Sequence, residues 1–331
     1  MSLICDVQEG QGWAAYHADT VDVARELPDN SIHFSIFSPP FSSLYTYSAS
    51  DRDMGNVSND EQFFDHYRYL VKEQFRATMP GRLIAVHCML IPTSKARDGF
   101  IGFRDFRSDL RREYEKAGFV SHSEVCIWKN PVTAMQRTKA LGLLHKQIKK
   151  DSAMSRQGFP DYLVVMRKPG VNPEPVTHTN ETFPVERWQR YASPVWITTD
   201  TTENGGVKLD DEGFEIPRDP KTRDDSDECG ISQSNTLNAR GAREHDDERH
   251  LAPLQLGVIK RAIMLWTNPN DIVWSPFMGV GSEGVGAIEQ GRCFVGAELK
   301  DSYYRMAVEN LRAAEQAKNA APQEQPRLKV V

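Results

Sequence analysis

Asp271-Ile272-Val273-Trp274-Ser275-Pro276-Phe277-Met278-Gly279-Val280-Gly281-Ser282-Glu283-Gly284 is a β-rich run that breaks into a glycine turn and then into small residues suited to a helix. Glycine tolerates the left-handed backbone of a tight turn and lets the main chain come close to a bound molecule. Gly279 and Gly281 hold those places. The next β-rich run, Cys293-Phe294-Val295-Gly296-Ala297, ends in Glu298, seventeen residues past Gly281. An acid at the tip of the strand after such a turn can accept hydrogen bonds from both hydroxyls of a ribose. The unit therefore predicts a site for a nucleoside-containing cofactor. Gly279-x-Gly281-x-x-Gly284 also fits the dinucleotide fingerprint. Ser275-Pro276-Phe277 ahead of the turn, and its late position in the chain, favour S-adenosylmethionine, which has no pyrophosphate to cradle. A nicotinamide cofactor stays open here, as does a turn that only tightens a strand–helix junction.

On the N-terminal side of this unit, strand and helix patterns alternate. Ser31 to Phe37 alternates at period two, and Arg82 to Cys88, Val125 to Trp128 and Tyr162 to Met166 are short β-rich runs. Phe63, Tyr67, Leu70, Val71 and Phe75 follow helical spacing behind Ser58-Asn59-Asp60-Glu61, which fits a capping box, with Pro80-Gly81 as the stop. Phe106, Leu110, Tyr114 and Ala117, and again Leu256, Ile259, Ile263 and Trp266, repeat the helical pattern. Such alternation predicts an α/β fold with a mostly parallel sheet. Gly170 to Arg249, rich in proline and acid, breaks the rhythm and predicts an irregular insertion. The expected organisation is a first half over 1–170, an insertion over 171–249, a cofactor-binding half over 250–318 and a flexible tail over 319–331.

Charge is unevenly spread along the 331 residues, whose formal balance is −6. Lys129 to Lys168 holds nine bases against Asp151 and Asp161, a net +7, whereas Asp200 to Glu228 holds eleven acids against four bases. A basic block can attract a phosphate backbone even in an acidic chain, although a solvated helix face has the same composition. No apolar run approaches the roughly 18 residues needed to span a bilayer, since Leu83 to Pro92 is interrupted by His87. The N-terminal residues resemble no signal peptide, and five cysteines without CxxC spacing argue against a disulfide framework or a zinc site. A cytoplasmic protein without a metal is expected.

Ser38-Pro39-Pro40-Phe41 follows the alternating strand directly, where ligands bind in open parallel sheets. A Pro-Pro step is stiff and has no backbone donors. It can present bare carbonyls beside the Ser38 hydroxyl, with the Phe41 ring as a stacking surface. That set suits a planar base carrying an exocyclic amino group.

Together these residues match a family. Ser38-Pro39-Pro40-Phe41 resembles catalytic motif IV of the DNA amino-methyltransferases, Ser275-Pro276-Phe277-x-Gly279-x-Gly281 their cofactor motif I, and Glu298 their motif II acid. His17-Ala18-Asp19 and Leu27-Pro28-Asp29-Asn30-Ser31 resemble the segment preceding motif IV, in which the position of Asp19 contacts the adenosyl base. His250-Leu251-Ala252-Pro253-Leu254-Gln255 resembles motif X, around the methionine end. The catalytic turn precedes the cofactor turn, the order of the β class, and Gln136 to Tyr162 resembles prophage-type orphan enzymes. The resemblance implies a Rossmann-like methyltransferase fold, S-adenosylmethionine as cofactor, double-stranded DNA as partner and target recognition within 171–249. It also allows a homodimer and a nucleoid-associated location. Asp19, Pro253, Ser275, Phe277, Gly279, Gly281 and Glu298 would hold the cofactor, and Ser38, Pro39, Pro40 and Phe41 would carry catalysis on a flipped base. Absence of a Pro-Cys pair agrees with amino rather than carbon methylation. Gln136, Arg137, Lys139, His145, Lys146, Lys149 and Arg156 are the candidate phosphate contacts. Trp188, Tyr191 and Trp196 suit a small local core better than base stacking. In the family a Ser-Pro-Pro start leans towards cytosine N4, whereas the prophage-type middle segment leans towards adenine N6; the balance favours adenine narrowly. A nicotinamide-dependent oxidoreductase, an inactive DNA-binding relative and an RNA methyltransferase are the alternatives.

Overall fold

In the computed structural model, the described residues are 4–41, 53–57, 60–138, 140–199, 208–209, 215–216, 231–232, 236–237 and 254–320. Within them the chain opens with a hairpin, β1 (Ile4–Gly10) and β2 (Trp13–Ala18). Asp19 then caps α1 (Thr20–Glu26) by accepting the Val21 N–H at 2.8 Å. There follow β3 (Ile32–Phe37), α2 (Asp60–Ala77), β4 (Thr78–Met89), α3 (Phe106–Lys116) and β5 (Val120–Trp128). Two short helices of the basic block, α4 (Pro131–Thr138) and α5 (His145–Lys150), lead into β6 (Asp161–Arg167). The insertion contributes α6 (Val185–Tyr191), β7 (Val195–Thr199) and the two-residue β8 (Ile231–Ser232). The C-terminal part adds α7 (Leu256–Trp266), β9 (Ile272–Ser275), α8 (Ser282–Glu289), β10 (Cys293–Glu298) and α9 (Asp301–Ala320).

One ten-stranded sheet runs in the order β1-β2-β10-β9-β3-β4-β6-β5-β7-β8. Six neighbouring pairs are parallel and three, β1/β2, β4/β6 and β6/β5, are antiparallel. Central strands are covered on both faces, so both sets of alternating side chains are apolar. Phe34, Ile36, Ala85, Leu163 and Val165 face α7, α8 and α9, whereas Phe37, Ile84, Val86, Val164 and Met166 face α1, α2 and α3. Arg82 and Asp271, 2% and 5% exposed, pair across the sheet at 2.7 Å. No helix among the described residues is long and apolar enough to cross a membrane.

Three sequence expectations shift. Pro80-Gly81 does not sit in a loop after α2: the helix passes straight into β4, and the pair forms an irregularity between the Ile32↔Thr78 and Phe34↔Leu83 pairings. Gly81 sits at φ +74°, with Asn172 backbone 2.8 Å from where a Cβ would stand. The insertion is not wholly irregular, because β7 extends the main sheet alongside β5. Its Tyr191 and Trp196 rings lie 5.2 and 5.8 Å from the Arg261 guanidinium of α7, so these two aromatics belong to a local core while Trp188 is 56% exposed. The β1–β2 hairpin has too little apolar alternation to stand out in sequence. Ser58 and Asn59 of the expected capping box, most of the acidic 200–228 stretch and the tail after Ala320 lie outside the described residues.

Close packing fixes α8 on the sheet. A Cβ at Gly284 would lie 2.4 Å from Leu311 and 2.7 Å from Phe294. Helix propensity alone would favour alanine there by about 1 kcal/mol, but overpacking at such distances costs about 1–3 kcal/mol. Gly284→Ala is therefore expected to lower the unfolding free energy, measured by urea titration, and a variant as stable as the parent would contradict this packing.

Candidate active site

Strands β3 and β9 are parallel neighbours, paired through Val273↔Phe34 and Trp274↔Ser35. From β9 the chain crosses through α8 to β10 on one side, and from β3 through α2 to β4 on the other. Where crossovers diverge, a crevice opens beyond the carboxyl ends of the strands. Residues from four strand ends line one pocket there: Ala18 and Asp19 after β2, Ser38 to Phe41 after β3, Pro276 to Val280 after β9, and Glu298 to Lys300 after β10. Asp53, Met54, Leu254, Glu283 and Tyr303 complete much of the wall. The two sequence-distant turns thus meet in one cavity.

The two glycines of the cofactor turn do different jobs. Gly279 sits at φ +51° with nothing within 4 Å of where a Cβ would stand, and its N–H donates to Glu298 Oε2 at 3.0 Å. Gly281 opens α8 at φ +87°, and a Cβ there would meet Ala307 of α9 at 3.3 Å. It therefore serves helix packing and is not part of the wall, which corrects the expectation of close ligand approach at both positions. Ser275, also expected at the cofactor, is fully buried in the sheet opposite Gly296, with no hydrogen-bond partner for its Oγ among the described residues. Phe277 lines the pocket and packs against Phe37 at 5.9 Å. Pro253 lies outside the described residues, although its neighbour Leu254 reaches the wall.

Glu298 ties the turn to its own strand end, since its Oε1 accepts the Lys300 N–H at 2.9 Å. Burial pushes its carboxyl up to about 7, and burial pushes Glu283 up to about 8, with the Glu298 charge adding to it. Sequence reasoning missed Glu283 and Asp53; an acid directly after the glycine turn was the available signal for the first. With Asp19 and Glu298 they give the pocket four carboxylates. S-adenosylmethionine carries a sulfonium and an ammonium, so this donor set and the open space at Gly279 fit it.

In the catalytic turn, the β3/β4 register Phe37↔Val86 carries on to set Ser38 beside His87. Ser38 Oγ lies 2.7 Å from His87 Nδ1, and His87 Nε2 lies 2.9 Å from Asp161 Oδ2. Lys129 pairs with the same Asp161 oxygen. His87 and Asp161 are buried. None of the three was assigned from sequence, where His87 registered only as a polar break in an apolar strand. Phe41 lines the pocket, but it is 3% exposed and its ring stands edge-on to Phe106 at 6.2 Å, less open than a free stacking platform.

Among the candidate phosphate contacts, Gln136 on α4 and His145, Lys146 and Lys149 on α5 are exposed. Arg137 lies on α4, and Lys139 lies outside the described residues. Arg156 stacks 4.0 Å over Phe159 and donates to the Gln157 carbonyl at 2.9 Å. It braces its loop rather than standing free for a phosphate, and burial lowers its pKa. At the opposite ends of the strands, His33, Glu174 and Asp271 cluster with metal-ligand spacing. There Asp271 is committed to Arg82 and to the Asn268 N–H, and His33 Nδ1 accepts the Ile272 N–H.

A carboxyl raised by folding favours the folded state below its unfolded pKa, and that stability is lost as pH rises through the folded value. Between about pH 6 and about pH 8.5 the ligand-free protein should lose thermal stability on the order of 5 °C, through Glu283 and Glu298. A cationic ligand prefers the ionised carboxylates, so S-adenosylmethionine should bind more tightly across the same window. Glu283→Gln should flatten both profiles, read by thermal melts and titration calorimetry.

A family model described as DNA methylase, for N6 and N4 methylation, matches residues 32–309. The type II methyltransferase M.BglII of Bacillus subtilis is 30% identical over 313 residues, 93% of this chain and 71% of its own. M.Cfr9I of Citrobacter freundii, another type II methyltransferase, is 24% identical over 319 residues, 92% of this chain and 89% of its own. Among solved structures, a protein of Thermus thermophilus complexed with S-adenosyl-L-methionine superposes with a TM-score of 0.59 at 20% identity, covering 89% of this chain and 91% of that one. On the extent of the family match and of the likeness to M.BglII, the chain belongs to the N6/N4 DNA methylase family.

Proposed function

We propose that this chain methylates adenine N6 in double-stranded DNA, as an orphan enzyme of the β class that uses S-adenosylmethionine. One observation carries the reading: the Ser38 turn and the Gly279 turn line a single pocket, with Glu298 between cofactor wall and strand end. The order of these turns along the chain supports the β class. When bound, S-adenosylmethionine supplies an electrophilic methyl group on a sulfonium. Glu298, Asp19 and Gly279 would hold the adenosyl part, and Glu283 and Asp53, which line the same pocket, would offer negative charge to its sulfonium and ammonium. A target amino group inside a duplex cannot reach this pocket, so the base must leave the stack. Ser38 Oγ and the Pro39 carbonyl accept its amino hydrogens, which points the nitrogen lone pair along the attack line. Positioning and preorganised acceptors supply the acceleration, without a covalent intermediate.

Gln136 of α4 and the exposed bases of α5 hold phosphates, the 171–249 insertion reads the target sequence, and the class resemblance extends to a homodimer. Adenine is favoured by the likeness of residues 136–162 to prophage-type enzymes. The Ser38-Pro39-Pro40 start favours a second reading, cytosine N4. Methylation of unmodified plasmid DNA by the full chain, followed by digestion to nucleosides and mass spectrometry, separates the two. N6-methyladenine is expected, N4-methylcytosine supports the second reading, and transfer to neither base or only to RNA overturns both. Ser38→Ala should lower the transfer rate by about 100-fold, the scale of losing one preorganised polar contact.

A further inference from the structure

Ser38 is a serine where a proton-accepting group is wanted, and a hydroxyl can donate as readily as accept. Its surroundings decide which. The Ser38–His87–Asp161 chain runs unbroken at 2.7 and 2.9 Å into a part of the protein that a base does not reach, and His87 lies wholly buried beneath the pocket wall. Asp161, also buried, sits diagonally across the β4/β6 ladder, where Met89↔Asp161 and His87↔Leu163 are the paired residues. Burial alone would push the Asp161 carboxyl up, but Lys129 and His87 outweigh it and hold the group below its ordinary value, ionised. An ionised carboxylate only accepts, so His87 Nε2 carries the proton facing it. With Nε2 turned to Asp161 as the donor, the remaining ring nitrogen, Nδ1, faces the Ser38 hydroxyl at 2.7 Å as its acceptor. Both Ser38 lone pairs are thereby left for the pocket.

We propose that His87, oriented by Asp161, is a positioning residue that fixes Ser38 as a hydrogen-bond acceptor and takes up, through Ser38, the proton released on methyl transfer. This rests on the amino-methylation reading above. As the nitrogen–methyl bond forms and the methyl–sulfur bond breaks, the amino nitrogen becomes cationic and gives one proton to Ser38 Oγ. The Ser38 hydroxyl proton moves to His87 Nδ1 in the same step, leaving a neutral methylated amine and an imidazolium held by Asp161. The positive charge lost at sulfur reappears on the imidazole, so the net charge of the site is unchanged. Once the methylated base has left, the proton returns from His87 Nδ1 through Ser38 Oγ to the open pocket and so to solvent. Neither His87 nor Asp161 meets the substrate; both act through the serine. A plain structural role would require only that something of the right size fill the space behind Ser38.

The test compares the full-length wild type with His87→Asn, Asp161→Asn and the double variant. Each is measured in single-turnover methyl transfer to unmodified plasmid DNA, with KM for S-adenosylmethionine and the solvent isotope effect recorded alongside. Asparagine at 87 retains an oxygen near the place of Nδ1 but cannot accept a proton. His87→Asn should slow transfer about 30- to 100-fold, leave KM within about twofold, and abolish the wild-type solvent isotope effect. Asp161→Asn should lose a similar factor by favouring the wrong tautomer. The double variant should cost no more than the worse single one, as expected of groups that act as a unit. A His87→Asn enzyme within about threefold of wild type, or one that keeps the isotope effect, overturns the relay while the methyltransferase reading stands. Loss of rate with a parallel rise in KM and a fall in melting temperature in both single variants assigns the chain to structure and also overturns it. A wild type that transfers no methyl group to DNA overturns the underlying reading and the relay together.

Discussion

Pairing of β3 with β9 is the constraint on which the molecule depends. These strands lie some 240 residues apart in sequence, yet their parallel ladder sets the Ser38 turn and the Gly279 turn at the same edge of the sheet. The pairing has few backbone contacts of its own, because β9 is only four residues long. It is secured by what flanks it: the Arg82–Asp271 ion pair at one end, the Phe37–Phe277 contact at the other, and apolar layers on both faces. Breaking a buried ion pair by deleting one partner costs about 3–5 kcal/mol, a large share of a domain's net stability. The sheet and the pocket are thus one mechanical object, and the alignment of the two turns is inherited from strand register rather than from the loops themselves.

Much of this was legible from residues alone, for local reasons. Period-two alternation placed β3, and the helical spacing of Leu256, Ile259, Ile263 and Trp266 placed α7 within the observed Leu256–Trp266. What escaped was what depends on register between distant segments. His87, Asp161 and Lys129 belong to three different strands or strand ends, and only the β4/β6/β5 ladders bring them to one point. In sequence Asp161 and Lys129 merely add to a charge balance. Gly279 and Gly281 share a left-handed backbone and a motif, and nothing in their spacing says that one faces the pocket and the other Ala307. Pro80-Gly81 suggested an ordinary helix stop because a strand irregularity has the same local chemistry as a turn.

Charge is divided between the pocket and the surface. Carboxylates crowd the pocket, where the sulfonium and ammonium of the cofactor would offset part of their charge, and exposed bases occupy α5 in the basic block. Concentrating acids in one cavity is costly, and the protein meets that cost partly by letting Glu283 and Glu298 hold their protons near neutral pH. Asp161 is the contrasting case: equally buried, it stays ionised because Lys129 and His87 face it.

Arg261 joins α7, the helix to which it belongs, to the aromatic pair of the insertion. Its guanidinium lies within cation–π range of both rings, and β7 is hydrogen-bonded into the same sheet. At this junction the protein has the character of a welded bracket rather than a hinge. On the reading proposed above, a junction tied in this way would leave more of the deformation that delivers a nucleotide to Ser38 to the nucleic acid, and sequences that unstack cheaply would be served first.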